Sequence, residues 1–402
     1  MTFDIEDMKS YDDVGVVAKS AYVMELGEYK IFVGNNVRDA KEIEFKYVLK
    51  ETKIVEKLTE YCTPTRLGKR LTASGEYVDV ANTEYTPKTF ECAYKCEENI
   101  PASDDQKYML IDVADGKISI DDFIAQLTND ELLGLLVGQK DLGVASTGGM
   151  GNLPKYGIPT PMTADGPAGL RIKPRTGVVA TAFPVETAIA CTWNLELAQR
   201  IGVAAALEAK ENNISMWLAP ALNIHRSPLC GRNFEYFSED PFVSGKMAAA
   251  IVKGVQSQNI VATPKHFACN NKEINRKESD SILSERALRE IYLKGFEICV
   301  KESDPKLIMT SYNMINCVRA SESVELITGI IRKEWGYKGL VTTDWWNNAT
   351  KRAEVYAGND IRMPSTTNDT KKQYIDTIKV ENTRGELAVG VKRLLEMILW
   401  LE

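Results

Sequence analysis

The stretch GLVTTDWWN, residues 339–347, ends a short apolar, β-branched run on a carboxylate, Asp344, and follows it with Trp345 and Trp346. Such a run reads as a buried strand of a parallel sheet, and a carboxylate at its end is either paired internally or faces a cavity that uses it. Carboxylates suit acetal cleavage, in which one group stabilises or attacks the developing oxocarbenium ion and another protonates the departing oxygen. Asp344 fits the first role, because indole rings offer apolar platforms for a sugar face and keep water away. The alternative puts both tryptophans in the core. Two adjacent residues at a strand end do not both point into one core, so at least one is expected at the mouth of the fold.

Other chemistry-bearing residues stand at similar places. Asp165 ends PTPMTAD, the pair Lys265 and His266 follows IVATP, Tyr312 follows KLIMTS, and Arg232 lies in CGRNFEYFSEDP. Ammonium, imidazole and guanidinium groups supply donors for hydroxyls. Equally, Arg232 could hold Glu235 or Glu239 in an ion pair, and Lys265 could neutralise a buried carboxylate. A strand-end lysine can also form a Schiff base, which leaves an aldolase working through Lys265 open. Only two histidines exist, His225 and His266, with no G-x-S-x-G elbow and no H-x-x-x-H spacing. Neither a Ser-His-Asp hydrolase nor a metal centre is therefore supported, and no cofactor or metal is expected.

These residues need a frame. From residue 118 the pattern ISIDDFIAQLTNDELLGLLVG has a helical period, with Asp121 near one start and Asn129 or Asp130 as the next N-cap. Short apolar runs then alternate with helical stretches: PTPMTADG, TAFPVET, ISMWLAP, IVATPKHF, KLIMTSYN, GLVTTDWW and DIRMP. The stretch SERALREIYLKGFEICVKE carries Leu288, Ile291, Tyr292, Phe296 and Cys299 on one face. Alternation of this kind implies an α/β fold with a parallel sheet, and the (β/α)8 TIM-like barrel is the leading closed form for residues 118–402. Active sites of such barrels sit at strand C-termini, which is where the residues above fall. The run GGMGN, 148–152, follows no apolar strand and opens no helix, so it is a poor nucleotide loop.

Ahead of the barrel, residues 1–60 alternate in the strand manner. VGVVAKSAYVMEL, GEYKIFVGNN and IEFKYVLKE read as three antiparallel strands, too few for a stable sheet unless something covers them. Residues 61–117 are polar, carry Pro64, Pro87 and Pro101, and read as a long linker wrapped over the larger unit. A net charge of −7 without a basic cluster argues against nucleic acid or an anionic membrane as partner and favours a small substrate. The acidic start MTFDIEDMKS is unlike a secretory signal and no apolar run reaches membrane-spanning length, so a cytoplasmic location is expected if this is the natural start.

Taken together, TADGPAGLR, CGRNFEYFSEDP, TPKHFACNNKE, SERALREIYLKGFEI, MTSYN, VTTDWW and AGNDIRMP resemble, in order, the motifs of the family 3 glycoside hydrolases, the β-glucosidases and their relatives, across residues 163–364. The resemblance implies a retaining, exo-acting enzyme on β-glycosides. Asp344 would be the nucleophile, with Asp165, Arg232, Lys265, His266, Tyr312 and Trp345 binding the innermost sugar and Met309 lining it. One branch of the family takes its acid from a histidine in a KHF-P-G-x-G loop, but here FACNNKE follows His266. This chain therefore resembles the multi-domain branch, whose acid/base comes from an α/β sandwich domain. GEYKIFVGNNVRD resembles the last strands of that branch's fibronectin-III-like module, which implies a permuted order and a chain that is the C-terminal part, or one half of a split pair. A chain of this kind could bind sugar or a partner chain without turnover, and apolar surface left bare by the missing domain would favour dimerisation or weak stability.

Overall fold

The computed structural model describes residues 4–72, 74–81, 83–145, 147–365 and 383–402. Eight strand positions close a ring. Val137–Gly138 pairs in parallel with Arg362–Ser365 on one side. On its other side Gln139 pairs antiparallel with Gly149, which pairs antiparallel with Met162. Thr163–Ala164, Met216–Trp217 and Val261–Ala262 then follow as parallel neighbours. The Phe267 N–H donates to the Met309 carbonyl at 2.8 Å, Leu307–Thr310 pairs in parallel with Leu340–Thr343, and Thr342 bridges to Ile361.

The barrel departs from a regular (β/α)8 at its second position, which runs backwards and is built by GGMGN. Gly148 has φ +86°, and a Cβ there would lie 2.4 Å from the Gln139 carbonyl oxygen, while one on Gly149 would lie 2.7 Å from that of Pro161. Only glycine allows two strands to close on this segment from both sides. TAFPVET, in turn, is no strand: it is irregular chain that leads into the helix Glu186–Ala190.

Strand residues alternate between two cores. Ala164, Trp217, Ala262, Ile308 and Val341 pack with helix residues such as Ala205, Met247 and Leu326. Met216, Leu218, Val261, Leu307, Met309 and Leu340 belong to the other cluster, on the inner face. With a period of two, Asp165, Lys265 and Asp344 share the inner parity of Thr163, Val261 and Leu340.

The N-caps lie two residues ahead of Asp121 and one or two ahead of Asn129 or Asp130. Ser119 and Thr128 are the N-caps, accepting from the N–H of Asp122 and Glu131, since a hydroxyl reaches the third N–H as well as a carboxylate does. In SERALREIYLKGFEICVKE the turn Leu288–Tyr292 is a π-helix. The wider turn rotates the face: Leu293 is buried and Ile291 is 41% exposed, while Leu288, Phe296 and Cys299 stay inside.

Of the three expected N-terminal strands, the second and third form the hairpin Gly27–Val33 with Lys41–Leu49. The first shrinks to Ala21–Met24, which pairs with Ser10–Asp12 and Lys53–Lys57 instead. The cause is local, because the Asp12 carboxylate gathers the N–H groups of Gly15, Val16, Val17 and Ala18 at 2.7–3.1 Å and bends 13–19 into a loop.

Two buried carboxylates on barrel helices hold this region down. Glu285 Oε1 accepts from the Tyr11 hydroxyl at 2.9 Å and the Tyr61 N–H at 3.0 Å. Glu325 accepts from the Cys62 N–H at 2.8 Å, the Tyr85 hydroxyl at 2.5 Å and the Lys88 N–H at 2.6 Å. Among the described residues no helix is long and apolar enough to cross a membrane. Glu325→Ala orphans the Cys62 and Lys88 N–H groups, each worth about 1–3 kcal/mol when left buried without a partner, while the Tyr85 hydroxyl keeps the Glu60 carbonyl at 3.1 Å. Urea unfolding of this variant is expected to show a stability loss of about 2 kcal/mol or more, with limited proteolysis cutting first between residues 58 and 90. An unchanged midpoint and cleavage pattern would show that the clamp is idle.

Candidate active site at the strand C-termini

Asp344 follows the fully buried strand Leu340–Thr343, and its side chain keeps 12% of its surface exposed. One oxygen, Oδ1, accepts the N–H of Trp345 at 2.7 Å. The other, Oδ2, lies 3.7 Å from His266 Nε2. Among the described residues no lysine or arginine nitrogen comes within 4.0 Å of it. Burial raises its pKa above the ordinary carboxylate value, and the charges of Arg232 and Lys265 oppose that shift without cancelling it.

The surrounding charges are paired with one another. Lys265 Nζ meets Asp165 Oδ1 at 2.5 Å, and Arg171 meets Asp165 Oδ2 at 3.0 Å. Burial works against the Asp165 carboxylate, yet the Lys265 ammonium and the Arg171 guanidinium hold its pKa down at about 2. Gly166, which follows it, needs φ +110°, and a Cβ there would meet the Gly169 carbonyl oxygen at 2.0 Å. The turn that presents Asp165 therefore depends on glycine. Arg232 pairs with Glu235 and also reaches His266 Nε2 at 3.0 Å. Both ion pairs left open by the sequence, Arg232 with Glu235 and Lys265 with a carboxylate, are present; Lys265 stands at a strand end and Arg232 at the start of the 3-10 turn Asn233–Glu235.

Burial, with Arg232, Lys265 and Arg276 nearby, pushes the His266 pKa well below its ordinary range. Arginine has donors only, so the Nε2 atom facing Arg232 is the acceptor and the ring proton sits on Nδ1. Asn223 fixes the backbone beneath: its amide takes the His266 N–H at 2.9 Å and gives to the His266 carbonyl at 2.9 Å. The Tyr312 hydroxyl lies beside Asp344 and donates to the Trp345 carbonyl at 2.6 Å, with the Arg276 guanidinium 4.7 Å over its ring. Trp345 is 9% exposed and donates from Nε1 to the Thr147 carbonyl at 3.1 Å, whereas Trp346 is 67% exposed. Of the two tryptophans, the second stands at the mouth. Met309 is buried on the inner face of its strand.

The structure thus brings Asp165, Arg232, Lys265, His266, Tyr312 and Trp345 to one end of the barrel around Asp344. Asn223, Arg171, Arg276 and Glu186 escaped sequence reasoning. Arg171 lies inside the quoted TADGPAGLR and was legible; Asn223 and Arg276 sit in irregular loops whose return to the site no periodicity announces. Glu186 is buried, burial drives its pKa well up, and its Oε1 accepts the Ala221 N–H at 3.2 Å.

The model of the glycosyl hydrolase family 3 N terminal domain matches residues 150–395, more than half the chain. The chain belongs to that family. It is 50% identical over 383 residues to beta-glucosidase A of Butyrivibrio fibrisolvens, covering 89% of this chain and 46% of that one. It is 38% identical over 418 residues to a beta-glucosidase of Ruminococcus albus, covering 98% and 44% respectively. Among solved structures, a beta-glucosidase from Paenibacillus barengoltzii superposes with a TM-score of 0.86 at 36% identity, covering 98% of this chain and 47% of that one. Beta-glucosidase 3B from Thermotoga neapolitana, solved with α-D-glucose, gives a TM-score of 0.64 at 42% identity over 68% of this chain and 42% of its own. The chain spans about half the length of the curated relatives it matches.

The paired charges predict a pH signature. Because the folded-state pKa of Asp165 is depressed to about 2, its stabilisation is complete above the unfolded value, about 3.9, and is lost as pH falls through the folded one. The stability difference between wild type and Asp165→Asn is expected to be constant from pH 7 to about pH 5 and to shrink below about pH 4. A difference that stays flat to pH 3 would mean the ion pair does not hold this carboxylate ionised.

Proposed function

We propose that this chain carries the nucleophile and the innermost sugar subsite of a retaining, exo-acting β-glycosidase, β-glucosidase-like in its substrate. The observation that carries the reading is the Asp344 carboxylate: buried at a strand end, ringed by donors, and without a lysine or arginine partner. Such a group has an oxygen free for an anomeric carbon, and the Trp345 N–H on Oδ1 sets its orientation. Attack by Oδ2 forms the ester as the C–O bond to the aglycone breaks; water then cleaves the ester with overall retention. Asp165, Lys265, Arg232, His266 and Tyr312 hydrogen-bond the hydroxyls, Trp345 covers one ring face, and Met309 lines the floor.

The departing oxygen needs a proton. Asp165 is held ionised by two cations and Glu235 is paired with Arg232, so neither suits a general acid. The resemblance implies an acid/base from an α/β sandwich domain, and that is the source we favour; the twofold length of the relatives supports it. The N-terminal hairpin supports a partial fibronectin-III-like module in the same way. Tyr29, Ile31 and Val33 alternate onto one face of it, with Tyr47 opposite Tyr29, and none is buried. A face of that composition is covered by more sheet or, failing that, by a second copy of the chain. The aldolase reading has no support, because an ammonium ion-paired to Asp165 offers no lone pair to a carbonyl.

Without its acid the chain is expected to lose about 10²–10⁴ in rate on poor leaving groups and far less on activated aryl glycosides. Incubation with a 2,4-dinitrophenyl β-glucoside, followed by peptide mass spectrometry, is expected to find the glycosyl adduct on Asp344 and none in Asp344→Asn. An adduct on another carboxylate would overturn the assignment. If wild type forms none, yet calorimetry shows it binding glucose, the sugar-binding subunit without turnover stands instead.

A further inference from the structure

Residues 344–350 have no regular secondary structure, so side chains must fix the path of the chain after the nucleophile. The first half is tied to the barrel. Trp345 bonds to Tyr312 and Thr147 as described, and the Trp346 N–H donates to the Met363 carbonyl at 3.2 Å. Trp346 also holds φ +54°, an unfavourable conformation for a bulky residue that persists only where its surroundings enforce it.

The second half is held by carboxylates: in exposed hydrogen bonds Glu278 takes Asn348 Nδ2 and Glu322 takes the Thr350 N–H, each at 2.5 Å, and Glu354 is the buried one. Glu354, in the helix Lys351–Ala357, is 1% exposed. Its Oε1 accepts from Asn347 Nδ2 at 2.9 Å, and its Oε2 takes Lys351 Nζ at 2.6 Å and Arg362 Nη1 at 3.4 Å. Arg362 passes the restraint back to the loop, donating to the carbonyls of Ala349 at 2.9 Å and Asn347 at 3.2 Å. Asn347 Oδ1 in turn accepts the Ala349 N–H at 3.0 Å. A carboxylate present only to neutralise Lys351 would not need to divide its oxygens between a cation and a loop amide. Every one of these groups is buried or half-buried, where a hydrogen bond is electrostatically stronger than in water and hard to replace by solvent.

We propose that Glu354 is a positioning residue: through Asn347 and Arg362 it fixes the loop that aims Asp344 and Trp345, without touching the sugar. This rests on the reading of Asp344 as nucleophile, so the test has one arm that needs no chemistry. Glu354→Gln keeps an acceptor for Asn347 and loses the ion pairs. Asn347→Ala removes the tie from the loop side without leaving a buried cation unpaired, and serves if the first variant does not fold. Hydrogen exchange read by mass spectrometry is expected to speed up at least ~10-fold over 344–350 in both variants, with the helices Leu195–Glu211 and Pro241–Gln256 unchanged. The first-order rate of Asp344 labelling by 2,4-dinitrophenyl 2-deoxy-2-fluoro-β-glucoside is expected to fall ~10- to ~100-fold, while the half-saturating concentration changes less than ~3-fold, since the hydroxyl donors stand on other strands.

A merely structural Glu354 would lower the unfolding midpoint and leave the labelling rate per folded molecule alone, and that result overturns the proposal. So does unchanged exchange over 344–350 in Asn347→Ala. If wild type itself fails to label while exchange rises in both variants, the loop clamp is upheld and the reading of Asp344 is what fails.

Discussion

Everything at this end of the barrel depends on leaving one carboxylate without a counter-ion. Taking a charge out of water is costly unless something nearby compensates. Asp344 is compensated at a distance, by Arg232 and Lys265, rather than in contact. That requires both cations to be held back by their own partners. Asp165 holds Lys265, and Glu235 holds Arg232. The two ion pairs therefore act as fixed dipoles turned toward the site instead of as salt bridges to Asp344. A raised pKa follows, because burial outweighs the two distant cations, and this suits the role proposed for Asp344.

His266 fits the same logic. A charged imidazole 3.7 Å from Asp344 would form the ion pair that the site avoids. Burial and three neighbouring cations keep the ring neutral, and Arg232 orients its acceptor nitrogen. Asn223, by gripping both backbone polar groups of His266, replaces the sheet hydrogen bonds that an irregular strand end lacks. Preorganisation here comes from short-range hydrogen bonds between buried groups, which do not reorganise when charge moves during reaction.

What was legible in the sequence was parity and punctuation. Asp165, Lys265 and Asp344 could be placed because each ends a run of buried residues, and period-two alternation then assigns them to the inner face. The conformations that broke the pattern were not legible. The reversed second strand has no apolar run, since two glycines and carbonyl contacts make it, and TAFPVET carries β-branched and aromatic residues yet has no neighbour to pair with. The π-turn at Leu288–Tyr292 rotated a predicted face by inserting a residue that no hydrophobic pattern marks. Asp12 overrode strand propensity in VGVVAKS with four N–H contacts, a case of local side-chain bonding defeating alternation. The Glu354 hub was invisible for another reason: its members lie at 347, 351, 354 and 362, on a loop, a helix and a strand, and only tertiary structure joins them.

The open end of the site also constrains how an acid could reach it. The side chains of Asp344, Asp165 and Arg232 keep 12–20% of their surface accessible, so this end of the barrel is reached by solvent. The floor and walls are tied to strands and helices by bonds internal to this chain, so its geometry does not need a cover to form. On the proposed reading, a proton donor would approach from the exposed side, where Trp346 is 67% exposed and its carbonyl accepts from Lys277 Nζ at 2.6 Å. With the second carboxylate of a retaining enzyme about 5–5.5 Å from the first, a domain delivering it would, on that reading, cover the exposed Trp346. The exposed Trp346 at that rim accords with the proposed reading, in which a second domain would close the opening that admits the sugar.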